Sequence, residues 1–224
     1  MEQNFLLDSF FKGGPVMWAL LVCSLVALGV IIDRLLGLFR VPNEQEGEAE
    51  LNAAEEMLKT EGEKGAVEHF KQSSGVLNYI FATLLKRYDT LILENRTDIE
   101  DMRQELIQVT EESGVDYLAR GLNALGTIGV LAPLMGLLGT IMGMIRAFDA
   151  ISRVGAGDPA AVASGISEAL ITTASGLIVA IPTIFFHRYL SSRADKVFRN
   201  IELYCNAFSN TLLARFQSGQ QQQP

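Results

Sequence analysis

The sequence predicts an all-α integral membrane protein: three transmembrane helices, with two very long helices extending from the membrane into a cytoplasmic helical domain. Three observations predict it. Uncharged apolar runs cover Pro15–Ile32, Gly121–Ile145 and Ala169–Phe186, of 18, 25 and 18 residues, and about 20 apolar residues span a bilayer core. The charge is segregated, with 18 acids and 7 bases between Glu44 and Asp116, a balance of −11 within a chain of net charge −8. Helical periodicity, finally, continues from that acidic segment into the second apolar run.

The N-terminal segment, 1–14, carries Glu2 and Asp8 against Lys12, the wrong sign for the positive start of a signal peptide. Asp33-Arg34 follows the apolar run where small residues would mark a cleavage site, so 15–36 is read as a retained transmembrane helix. It is bulky almost all round, with Ser24 as its clear polar exception, which suits an outer, supporting element.

The region 37–120 reads as cytoplasmic and helical. Glu48–Phe70 is rich in Ala, Glu, Lys and Leu, and a second helical stretch runs through Tyr79–Tyr88. Thr97-Asp98-Ile99-Glu100 fits a capping box with Thr97 as the cap, and Ile99, Met102, Leu106 and Val109 follow amphipathic spacing. Nothing obvious interrupts this pattern before the second run, so one helix of roughly 80 Å is expected from Thr97 to about Ile151.

The second transmembrane helix, 121–147, has a row of small residues at 126, 129, 133, 136, 140, 143 and 147, which share a face. They read Gly, Gly, Pro, Gly, Thr, Gly, Ala. Leu131, Leu134, Met135, Leu138, Ile141, Met142 and Ile145 form the opposite face. Within the outside loop, 148–163, Gly155 and Gly157 end the helix, and Asp158-Pro159 supplies a new cap followed by proline at the first helical position.

The third transmembrane helix, 164–188, divides in the same way. One face has Gly165, Glu168, Thr172 and Ser175; its neighbour has Ala169, Thr173, Gly176, Ala180 and Thr183. The helix should continue as a cytoplasmic C-terminal helix over 189–217, and 218–224, with its four glutamines, reads as a disordered tail. Orientation follows from Lys and Arg near the span ends: Arg34, Arg40, Arg120, Arg188, Arg193, Lys196 and Arg199 on one side against Lys12, Arg146 and Arg153 on the other. That bias puts the N-terminus outside and the C-terminus in the cytoplasm.

Small residues in a span admit a structural explanation and a functional one. Glycine and alanine let backbones approach closely, and Gly139-x-x-x-Gly143 fits that packing pattern; Thr127 and Thr172 are expected to bond back to their own helices. Glu168 is harder to assign to packing, since an ionisable group in a span costs ~2.5–3.5 kcal/mol on insertion scales and faces a cavity, a partner or a proton path. Thr140 and Thr173, measured from the centres of their antiparallel runs, sit ~10 and ~7 Å to the outer side of the midplane. Hydroxyls donate and accept, so this layer can hold a proton-carrying water chain. It cannot hold a proton itself at neutral pH, and no carboxylate lies near the midplane of these helices, so a carrier there would have to come from another chain.

Other classes fit poorly. The cysteines Cys23 and Cys205 and the histidines His69 and His187 have no metal spacing, and no catalytic triad, nucleotide loop or cofactor fingerprint is present. No cofactor is expected, and an enzyme is not. Cys23 reads as a small buried residue and Cys205 as a free thiol. The acidic cytoplasmic segment argues against nucleic acid.

The stretches "LAPLMGLLGTIMGMIRAF" (Leu131–Phe148) and "GISEALITTASGLIVAIP" (Gly165–Pro182) resemble the ExbB/TolQ/MotA family of proton-channel subunits. Three spans favour the ExbB/TolQ branch over MotA, and the "KGGPVMWALL" start is similar to ExbB-type proteins. The resemblance implies a homopentamer in the bacterial inner membrane, with the second and third transmembrane helices lining a pore. Two copies of an ExbD/TolR-like single-span partner would insert there, bringing an aspartate as proton carrier. It implies Thr140 and Thr173 as pore-lining threonines and Glu168 as the acid at the start of the third helix. Thr172 and Ser175, on the Glu168 face, join them as proton-path candidates, and Gly129, Pro133, Gly136, Gly143, Ala169, Gly176 and Ala180 are the candidate pore-facing small residues. Use of the proton-motive force to drive a TonB-like partner is the implied activity; envelope maintenance of the TolQ kind, or a non-conducting scaffold whose small faces only pack helices, are the alternatives.

Overall fold

A computed structural model describes residues 10–39, 44–73, 75–154 and 159–221. The described residues form α1 (Pro15–Phe39), α2 (Glu44–Thr60), α3 (Gly62–Gln72), α4 (Val76–Leu93), α5 (Ile99–Leu118), α6 (Leu122–Val154) and α7 (Pro159–Gln221). Three of them, α1, α6 and α7, are long and apolar enough to cross a membrane. The chain divides into two compact units, one made of 1–35 and 121–191 and the other of 36–120 and 192–224.

In the first unit α1 begins with Pro15, whose fixed φ suits a first helical position, directly after Gly14 at φ +67°. It buries one narrow stripe, Met17, Leu20, Ala27 and Ile31, while Trp18, Val22, Leu25, Val26 and Ile32 stay exposed. Cys23, expected to be buried, is only half-buried, because it falls off that stripe. Met17 and Leu20 pack with Ala132 of α6 and Ala180 of α7, and Met135 and Val179 close over them.

The predicted helix from Thr97 to Ile151 is two helices. α5 ends at Leu118, the Ala119 amide bonds to the Val115 carbonyl, and Gly121 takes φ +78° before α6 starts. The left-handed position is where a glycine ends a helix with least strain, so Arg120-Gly121 is a stop signal that the continuous hydrophobic periodicity concealed. The α5 cap also differs: Asp98, not Thr97, accepts the Glu100 amide, at 2.9 Å. Asp98 has the extended backbone an N-cap needs, which moves the start one residue along.

α7 begins at Pro159 and runs 63 residues to Gln221, about 95 Å of helix. Its start agrees with the Asp158-Pro159 reading, although Gly155, Gly157 and Asp158 lie outside the described residues. Its end is later than expected: residues 218–221 of the supposed tail are helical, and 222–224 lie outside the described residues.

The second unit is built on α4, which buries Leu77, Ile80, Phe81, Leu84, Leu85, Tyr88 and Leu91 in one broad stripe. The latter part of α7 supplies Val197, Ile201, Cys205, Phe208 and Leu212 at helical spacing. Phe81 and Phe208 pack with ring centroids 4.5 Å apart, and Phe70 of α3 joins them at 5.9 and 6.2 Å. Glu61-Gly62, with Gly62 at φ +70°, divides the expected Glu48–Phe70 helix into α2 and α3.

Candidate functional site

The candidate residues lie on α6 and α7 inside the first unit, and glycine decides how these helices meet. A Cβ built on Gly136 would stand 3.0 Å from the Thr172 carbonyl oxygen and 3.2 Å from the Thr173 Cα. On Gly143 it would stand 2.7 Å from the Gly165 carbonyl oxygen, and on Gly176, 2.7 Å from the Ala132 carbonyl oxygen. These neighbours are backbone atoms that cannot step aside. The helices are in near-backbone contact, the approach that small residues permit in a membrane.

The contacts set an antiparallel register in which Gly129 meets Ile184, Gly136 meets Thr173, Gly139 meets Thr172 and Gly143 meets Ala169. Gly129, Gly136, Gly143, Ala169, Gly176 and Ala180 are all buried. The small faces of the two helices are turned toward each other within one chain. The seam on α6 is Gly129, Ala132, Gly136, Gly139, Gly143 and Ala147. It is rotated from the expected row, since Ala132 and Gly139 replace Pro133 and Thr140. Both rows are small, so side-chain size alone did not separate them.

Pro133 and Thr140 are half-buried at one margin of this seam. At about 100° per residue, Met135 falls on the opposite margin, where it packs on α1 residues Met17 and Leu20. On α7, Val179 packs on that same α1 cluster, and Thr173 falls on the other margin. Thr140 and Thr173 therefore share the side of the seam away from α1, and the register brings them to about the same level. Each keeps partial exposure. The Thr140 hydroxyl donates to the Leu137 carbonyl at 2.6 Å and the Thr173 hydroxyl crosses to the Gly136 carbonyl at 3.3 Å. Both bonds use the proton and leave the oxygen lone pairs free to accept.

Three other candidates lie elsewhere. Thr172 is fully buried in the seam against Gly139, its hydroxyl bonded back to the Glu168 and Ala169 carbonyls as expected; Thr127 bonds back to Asn123 likewise. The Ser175 hydroxyl bonds back to Ile171, on the α1 side. Glu168 is also on that side, in an ion pair with Arg146 and close against Gly14 at the entrance to α1. Thr140 and Thr173 thus stay together on one side, and Glu168, expected a turn or so above them, lies on the other side of the helix pair. Arg146 was the residue sequence reading missed. It counted only toward membrane orientation, although the same antiparallel register puts it opposite Glu168.

The outer surfaces of both helices are apolar: Leu131, Leu134, Leu138, Ile141 and Ile145 on α6, and Leu170, Ile178 and Ile181 on α7, are exposed. The profile of the MotA/TolQ/ExbB proton channel family matches residues 72–203, which include this whole site. The chain belongs to that family. Among its relatives is the ExbB-like 1 biopolymer transport protein of Synechocystis sp., 34% identical over 84% of this chain and 71% of that protein. The ExbB1 biopolymer transport protein of Vibrio cholerae is 27% identical over 84% and 80% of the two chains, and an ExbB homologue of Methanothermobacter thermautotrophicus is 30% identical over 88% and 67%. This is an ExbB-type member of the family, a membrane-embedded proton-channel subunit.

Proposed function

We propose that this ExbB-type subunit forms part of a proton-driven motor in a bacterial inner membrane, and that Thr140 and Thr173 line its proton path. The observation that carries the reading is the shared margin. Among the candidate polar side chains, these two keep partial exposure on the side of the α6–α7 seam away from α1. With α1 on one side and apolar surface on the others, that margin is where a second chain could bring an ionisable group beside protein hydroxyls. Neither threonine can hold a proton at neutral pH, so their role is to accept from water and to orient it.

The remaining parts of the reading follow the family resemblance: a homopentamer, an ExbD/TolR-like partner helix in two copies bearing the carrier aspartate, and a TonB-like protein that receives the force. The Lys and Arg distribution supports a periplasmic N-terminus and a cytoplasmic C-terminus. A proton crossing ~150–200 mV releases roughly 3.5–4.5 kcal/mol, so substantial mechanical work requires several. Neither an enzymatic step nor a cofactor is part of this reading.

The test is proton uptake into vesicles holding the protein with its single-span partner. Thr140→Val is the clean variant, because among the described residues the Thr140 hydroxyl bonds only within its own helix and lies outside the seam. Uptake should fall at least tenfold with assembly unchanged. Wild-type uptake in both Thr140→Val and Thr173→Val would overturn the assignment and favour a scaffold whose small faces only pack helices.

A further inference from the structure

The geometry points to a binding site for the phosphate of an anionic phospholipid headgroup in the second unit, formed by Lys71 of α3, Lys86 of α4 and the tyrosine pair Tyr79 and Tyr117. These residues line a cleft of about 270 Å3 whose wall is completed by Phe70 and Ala82. Its charge is unlike that of its surroundings. Between Glu44 and Asp116 acids outnumber bases 18 to 7, yet two lysines line the cleft and, among the described residues, no carboxylate does.

Two arginines of the region are committed to carboxylates: Arg87 to Glu105 and Glu94, and Arg96 to Asp101 and Glu94. Lys71 approaches Glu68 at 3.8 Å on the open surface, a pairing that water and salt largely screen. The lysines therefore offer positive charge that the acidic segment does not quench.

The aromatic component narrows the ligand class. Tyr79 and Tyr117 pack with centroids 5.2 Å apart and a 40° tilt, and Phe70 deepens the apolar wall. Ammonium groups beside tyrosines suit an anion with an uncharged organic body, the makeup of a glycerophosphate headgroup. Tyrosine is also the residue type that settles at membrane–water interfaces. The lipid source follows from chain connectivity. Tyr117 is four residues before Gly121, where the second apolar run begins, so at most about 14 Å of chain separates it from the start of a membrane span. The site does not depend on proton flow.

The experiment is native mass spectrometry of the full-length protein extracted from vesicles of phosphatidylglycerol and phosphatidylcholine, counting the lipids retained. Wild type should retain phosphatidylglycerol preferentially. Lys71→Gln with Lys86→Gln should weaken that retention roughly 30-fold, since each surface cation near anionic lipid contributes about fivefold. Both lysines are exposed, so the fold should survive. Lys59→Gln with Lys64→Gln removes equal charge outside the cleft and should leave retention unchanged. Equal loss in the two double variants, or no loss in the first, would overturn the site. Displacement of the lipid by millimolar glycerol phosphate would overturn the lipid assignment, leaving the cleft as a site for soluble phosphate esters.

Discussion

Glu168 and Arg146 show how one pairing changes the meaning of a residue. The Glu168 side chain is 12% exposed and that of Arg146 45%, so the carboxylate is the buried member and the guanidinium the solvated one. Removing a partner costs most when the charge left behind is buried. Arg146→Gln should therefore destabilise the first unit more than Glu168→Gln, and the double variant should recover most of the loss; thermal unfolding in detergent measures all three. If Glu168 instead carried protons independently of Arg146, the double variant would show no recovery in proton uptake. A second carboxyl, Glu63 in α3, has its pKa raised above 4.5 by burial first and then by a hydrogen bond to Asp89, with Arg215 opposing. Its folded form binds a proton more tightly than its unfolded form. The associated stability is full below about 4.5 and is lost as the pH rises through the elevated folded value. Glu63→Gln should flatten that loss, as read from unfolding midpoints between pH 4 and 8.

Among the elements, the α6–α7 seam and α1 respond differently to the same substitution. Gly143→Ala forces a Cβ to 2.7 Å from the Gly165 carbonyl oxygen and 2.9 Å from the Ala169 amide nitrogen. Overpacking of this kind costs ~1–3 kcal/mol, and the seam must open to accommodate it. Gly29 on α1 has no neighbour within 4 Å of an added Cβ, so Gly29→Ala should be neutral or slightly stabilising through helix propensity. Thermal midpoints of the two variants should diverge by several degrees; equal midpoints would mean the seam is looser than its contacts indicate. The break between α5 and α6 belongs to the same physics. Gly121 at φ +78° disfavours any residue with a Cβ, and that conformational requirement, not the hydrophobic pattern, ends the helix.

For the whole molecule, the long α7 has residues in both compact units, and its latter part is core rather than appendage. Val197, Ile201, Cys205, Phe208 and Leu212 are buried in the second unit, the Arg215 guanidinium donates to the Leu58 carbonyl at 2.6 Å, and the Thr211 hydroxyl donates to Glu55 at 2.7 Å. Ending the chain after Arg193 should expose the apolar stripe of α4 and make residues 44–118 sensitive to protease; resistance equal to wild type would show that α2–α5 hold together alone. The three spans, the acidic helical region and the C-terminal helix were legible in the sequence because each rests on the composition or period of neighbouring residues. The stop at Gly121 was missed and the cap was set on Thr97 instead of Asp98, because each depends on the backbone conformation of one residue. Tertiary structure alone decided which of two small rows on α6 meets α7, that Thr140 and Thr173 fall on a different side from Glu168, and that Glu168 is paired with Arg146. Those outcomes depend on the angle at which two helices face each other. Local sequence sets what each helix can present, and only packing selects what it does present.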